Sequence, residues 1–182
     1  MKSICIYCGS SSGNLADYEQ VAVALGRELV ARDLQLVYGG GNIGLMGAVA
    51  DAVMAAGGTV TGVIPSALME KEVGHEGLTH LHIVDDMHER KAMMARLSDG
   101  FIAMPGGWGT LEEIFEALTW LQLDIHSKPC GLLNAAGYYD QLLAFLQHAH
   151  DSGFVRKAHH DKLIQADDPG TLLEQMAAFA ST

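Results

Sequence analysis

Residues 104–118 read MPGGWGTLEEIFEAL, and two kinds of chemistry meet in them. Gly106, Gly107 and Gly109 surround Trp108 and lead into a predicted helix over 110–122. Glycine-rich loops at helix starts present backbone N–H groups to anions, phosphate above all. Glu112 and Glu113 follow in the first turn of that helix, where a carboxylate repels the same anion. A ligand with an anionic end and a second part that wants negative charge resolves the conflict. The acids also have a purely structural account. Thr110 and Glu113 form T-x-x-E ahead of the apolar stripe Leu111, Ile114, Phe115 and Leu118, which is a capping box. Glu112 then suits the positive end of the helix dipole. Capping leaves the run of glycines unexplained, because starting a helix needs none.

A second set of residues lies at 87–97. Met87, Met94 and Leu97 share a helical stripe, and Arg90 falls on it too. An arginine within an apolar stripe either snorkels to the surface or meets an anion. Lys91 adds charge beside it and, on spacing alone, reads as solvated. A third set is GGGNIGLMG at 39–47, with G-x-G-x-x-G at Gly39, Gly41 and Gly44. This pattern fits a dinucleotide fingerprint, a phosphate or ribose contact by backbone N–H groups, or tight helix–strand packing with no ligand. Against NAD, the motif follows the second strand, and the next strand, TVTGVIP, has no acid for a ribose hydroxyl.

Other candidates carry less. Cys5-x-x-Cys8 resembles a redox pair, but the two-residue period of a strand puts the thiols on opposite faces. His80 and His82 share a strand face and read as solvated or packed. No histidine set has metal-ligand spacing.

These groups are positioned by an alternation of strands and helices. Apolar strands are expected at 3–7, 34–38, 59–64, 78–84, 100–104, 129–134 and 162–166. Helices are expected at 16–32, 45–56, 87–98, 110–122, 138–150 and from about 169, with 66–77 as a polar loop. The pattern predicts an α/β fold: a Rossmann-like doubly wound parallel sheet with helices on both faces, 1–182 forming one domain. Three glycine-rich turns, CGSSSG, YGGGNIG and MPGGWGT, each follow a strand and should share one sheet edge, where such folds bind ligands.

The chain has 182 residues, of which 49% are hydrophobic, enough for a sizeable core. No run approaches the roughly 20 apolar residues of a membrane span. The first residues read as a strand and turn rather than a signal peptide. Three cysteines without framework spacing point to a reducing cytoplasm. A net charge of −11 argues against nucleic-acid binding.

Taken together, MHERKAMM at 87–94, PGGWGTLEE at 105–113 and GGGNIGLMG at 39–47 resemble the Lonely Guy family of nucleoside-monophosphate phosphoribohydrolases. The likeness runs through nearly the whole chain, including CGSSSG, ALTWLQLDIHSKPCGLLN and GYYD. Proteins of this kind have also been called lysine decarboxylases, but no lysine here has a pyridoxal-phosphate context. The resemblance implies a homodimer with active sites near the interface. It also implies hydrolysis of the N-glycosidic bond of AMP, or of its N6-substituted (cytokinin) forms, to free base and ribose 5-phosphate. No metal or organic cofactor is implied.

The family's glutamate falls on Glu113 and its arginine on Arg90, the expected catalytic pair. Gly40, Gly41, Lys91, Gly106, Gly107, Trp108, Gly109, Thr110 and Glu112 are expected to bind substrate. Glu72 and Thr119 fall where family members contact substrate. The alternative is a nucleotide-binding module on the same fold without catalysis.

Overall fold

Short runs of Val, Ile and Leu are stable as strands only when both faces of their sheet are covered. The computed structural model, which describes residues 1–69 and 73–181, shows that arrangement. The strands are β1 (Ser3–Tyr7), β2 (Gln35–Tyr38), β3 (Val60–Pro65), β4 (His80–Val84), β5 (Gly100–Ala103), β6 (Cys130–Leu133) and β7 (Leu163–Ala166). The helices are α1 (Ala16–Ala31), α2 (Gly44–Ala55), α3 (Met87–Leu97), α4 (Trp108–Gln122), α5 (Asp140–Asp151), α6 (Lys157–His160) and α7 (Pro169–Phe179). All seven strands pair in parallel in the order β4-β3-β2-β1-β5-β6-β7. The expected Rossmann-like doubly wound sheet is therefore present.

Alternation along β1 divides the core. Ile4 and Ile6 face one layer with α1, α2 and α7, while Cys5 and Tyr7 face the other with α3 and α4. In the first layer a Cβ on Gly26 would come within 2.8 Å of the Ala52 side chain, so α1 and α2 are packed closely there. In the second, Phe101, Met94 and Ile114 are fully buried. Each such side chain contributes about 1.5–3 kcal/mol by leaving water. No helix among the described residues is long and apolar enough to cross a membrane.

The winding reverses at β1, whose neighbours are β2 and β5. The turns that leave β1, β2 and β5 are the three glycine-rich ones. They meet at the C-terminal edge of the three central strands, as expected, at the crevice where open α/β sheets bind ligands.

Two local expectations need correction. The first concerns α4, which starts at Trp108, two residues early, with Gly107 at its N-cap and no side-chain cap. Thr110 lies inside the first turn, 3% exposed, and a Cβ on Gly106 would collide with its hydroxyl. Because the backbone is already helical at Trp108, Thr110 cannot cap, and the Thr110–Glu113 capping box does not form. The earlier start also moves Glu112 and Glu113 out of the first turn. Second, α6 is a single turn that the sequence pattern gave no reason to expect.

Candidate active site

Because no side chain caps α4, the N–H groups of its first turn, at residues 108–110, have no partner within the helix. They open onto a cavity of about 300 Å³ at the β1/β5 switch point. Its walls include Gly107, Trp108, Gly109, Thr110 and Glu113 from this turn and helix. Across from them stand Arg90, Met87 and Met94 of α3, with Ser10 and Gly39 from the other two turns. Among the described residues, a Cβ on Gly107 or Gly109 would meet nothing within 4 Å, so their packing does not require glycine at either position. What their bareness provides is room for another molecule to approach the backbone. Helical side chains lean toward the N-terminus, so Glu113 leans over the turn that holds Gly109 and Thr110.

Arg90 does not snorkel. It is 5% exposed, its Nη2 donates to the Gly39 carbonyl at 2.9 Å, and its Nη1 lies 3.7 Å from the Met87 sulfur. Its helix is firmly begun. Asp86 accepts from the Glu89 N–H at 2.8 Å, and Glu89 accepts from the Asp85 N–H at 3.0 Å. Asp86 is thus the kind of side-chain cap that α4 lacks, and Glu89 reaches back one residue beyond the N-cap. A Cβ on Gly39 would collide with the Arg90 guanidinium, so a larger residue there would displace the arginine's end from this position.

Burial first, then the Glu113 carboxylate, pushes the Cys5 thiol well above its ordinary value. Burial, Cys5 and Glu113, in that order, do the same to the Tyr7 hydroxyl. Both stay protonated at neutral pH and bring no charge to the site.

The remaining expected residues fall in different places. Lys91 is 2.5 Å from Glu112 and 3.1 Å from Glu116, tying α3 to α4 outside the cavity. Burial alone would lower its ammonium, but the two carboxylates outweigh it and the net shift is upward. Gly106 packs beneath Thr110 and against the Gly9 N–H. Gly40 and Gly41 are buried under residues 73–75 rather than lining the cavity: the His75 N–H donates to the Gly40 carbonyl at 2.9 Å, and Gly41 bridges Gly74. Thr119 lies away from Glu113, at an apolar groove of about 210 Å³ formed with α5, α6 and β7. Glu72 lies outside the described residues.

Ser10 and Met87 line the cavity without having been expected at substrate, and Gly39 lines it where Gly40 and Gly41 of the same turn were expected to. The shared edge of the three turns was the signal for Ser10 and Gly39. His80 and His82 are exposed on β4, and Cys5 and Cys8 pack on opposite layers, neither in a disulfide.

A parallel sheet wound both ways, with an open helix N-terminus, a buried arginine and a carboxylate at its switch point, defines a Rossmann-like α/β protein with a cavity suited to an anion. A family profile described as "Possible lysine decarboxylase" matches residues 46–176, and the chain belongs to that family. A probable cytokinin riboside 5′-monophosphate phosphoribohydrolase of Oryza sativa subsp. japonica is 52% identical over 178 residues, covering 98% of this chain and 78% of that one. A cytokinin riboside 5′-monophosphate phosphoribohydrolase of Arabidopsis thaliana is 51% identical over the same length, with the same coverage. Among solved structures, the molybdenum cofactor carrier protein of Chlamydomonas reinhardtii superposes with a TM-score of 0.74 at 20% identity, covering 100% of this chain and 99% of that one. The molybdenum cofactor binding protein of Rippkaea orientalis also gives 0.74, at 22% identity, covering 98% and 97%. At these identities the two structures share the fold with this chain.

Proposed function

We propose that this chain is a hydrolase that cleaves the N-glycosidic bond of nucleoside 5′-monophosphates, AMP or its N6-substituted cytokinin forms, to free base and ribose 5-phosphate. One observation carries this reading. The uncapped first turn of α4 and the side chain of Glu113 face the same cavity, one suited to an anion and the other to a cation. A nucleotide undergoing glycosidic cleavage has both, a 5′-phosphate and a ribose that becomes oxocarbenium-like at C1′. The relatives' names describe the same reaction class on cytokinin nucleotides.

In this reading the N–H groups of 108–110, with the bare backbone of Gly107 and Gly109, receive the phosphate. Arg90 supplies positive charge from the opposite wall. Glu113 stabilises the developing cation and orients or deprotonates the attacking water. Lys91 and Glu112 act at one remove, by holding α3 against α4. Residues 1–182 work as one unit in the cytoplasm, where Cys5, Cys8 and Cys130, none of them in a disulfide, stay reduced.

The same reading has the chain acting as a homodimer. Thr119, which the family resemblance places at substrate, lies on a different face of α4 from Glu113, so a second copy is needed to bring it to a site. Exposed Trp108, 91% accessible at the cavity mouth, suits such a contact.

The test is chromatography of AMP and isopentenyladenosine 5′-monophosphate after incubation with the protein, beside Glu113→Gln. Release of free base by the wild type and not by the variant is expected. Nucleotide binding without any base release would instead favour the non-catalytic binding module.

A further inference from the structure

His75 is a buried polar residue, 8% exposed, in a segment that supplies no catalytic group. Its Nδ1 accepts from the Gly77 N–H at 3.1 Å, so that nitrogen carries no proton. The proton therefore sits on Nε2, which donates to Asp51 Oδ1 of α2 at 3.0 Å. The backbone of the same segment lies across the turn after β2. The His75 N–H donates to the Gly40 carbonyl at 2.9 Å, the Asn42 N–H donates to the Val73 carbonyl at 2.9 Å, and Gly41 pairs with Gly74 in an isolated antiparallel bridge.

A bridge this short does not hold itself in water. Val73, moreover, sits at φ +47°, a left-handed conformation that β-branched residues adopt only when their surroundings enforce it. Something must clamp the segment, and the imidazole is the group placed to do so. What is clamped matters, because the carbonyl next to Gly40, that of Gly39, holds the Arg90 guanidinium.

We propose that His75 is a positioning residue: bridged to Asp51 and to the Gly77 amide, it latches segment 73–77 across the turn 39–42 and thereby fixes Arg90 in the cavity. The kinetic side of this rests on the hydrolase reading above. The latch itself does not.

The test compares wild type with His75→Ala, Asp51→Ala and Asp51→Asn by amide hydrogen exchange and by steady-state hydrolysis of AMP. Asp51 is exposed on α2, so its variants keep the fold even where His75→Ala does not. In Asp51→Ala, exchange at the amides of 42, 75 and 77 should quicken about fivefold while β1 and β5 stay unchanged, the loss expected for one hydrogen bond of about 1 kcal/mol. With it, kcat should fall about fivefold and KM for AMP should stay within about twofold, because a catalytic group has been misplaced and not removed. Asp51→Asn, which keeps an acceptor for the Nε2 proton, should restore both.

Unchanged exchange in Asp51→Ala overturns the proposal. So does quickened exchange with kcat unaltered, or an Asp51→Asn variant as impaired as Asp51→Ala. If the wild type releases no base from AMP or from isopentenyladenosine 5′-monophosphate, the hydrolase reading fails and exchange at 42, 75 and 77 alone decides the latch.

Discussion

Helices α2 and α4 both begin in glycine-rich turns on the same sheet edge, and neither has a side-chain cap. At α2 the turn is closed. The Leu45 N–H is taken by the Gly9 carbonyl, Gly44 sits at φ +60° against the backbone of Ser10 and Ser11, and residues 73–75 cover Gly40 and Gly41. At α4 the turn is open, with none of the described residues near the missing side chains of Gly107 and Gly109. Two runs of similar composition therefore do opposite work. In α2 the glycines let protein backbone approach protein backbone; in α4 they leave backbone bare for another molecule.

The largest test of this contrast is Glu113, since α4 alone of the two helices carries an acid at the cavity. Glu113→Gln should lower kcat by about a thousandfold or more with AMP affinity kept, read by base release and calorimetry. Retained turnover would remove the acid from the contrast. Next is Gly44→Ala, which forces a Cβ into the left-handed region and against Ser10. It should cost at least about 2 kcal/mol of stability, a fall of roughly 4–8 °C in Tm by calorimetry.

Gly107→Ala should do the reverse. Stability should hold within about 0.5 kcal/mol while KM rises about tenfold, because the new methyl projects into the ligand's approach. Equal losses of stability in the two variants would erase the distinction. Gly109→Ala sharpens it: inside a helix the change should stabilise by about 0.5–1 kcal/mol and still raise KM.

The smallest effect concerns the outer tie between α3 and α4. The Lys91 ammonium is held above its ordinary 10.5, so its contribution is complete below that pH and disappears as pH climbs through the raised value. Glu112 is half exposed, so the loss should be at most about 1 kcal/mol. Thermal melts of Lys91→Met and wild type should therefore converge as the solution becomes strongly alkaline.

The element order, the parallel sheet and the shared edge of the three turns were legible because apolar strands and glycine punctuation are local patterns. The Arg90 and Glu113 wall was legible through its helical spacing and family resemblance. The state of each turn was not, since openness depends on what crosses over from elsewhere in the chain. Nothing near Gly40 announces that residues 73–75 will cover it. The Thr110–Glu113 spacing fits a cap as well as a binding turn, and only the helix starting at Trp108 separates the two.

The central place of β1 has a consequence for how this molecule forms. Its five residues bond to β2, about 30 residues on, and to β5, about 95 residues on. Until Gly100–Ala103 arrives, one side of β1 is an unsatisfied edge of a largely apolar ladder, the kind of surface that recruits other chains. Folding is thus dominated by distant pairings and is slow for the chain's size. The cavity has walls from both sides of β1, so it cannot exist before β5 and α4 are in place, and a nascent chain that stops short of β5 exposes an aggregation-prone edge before it has a site.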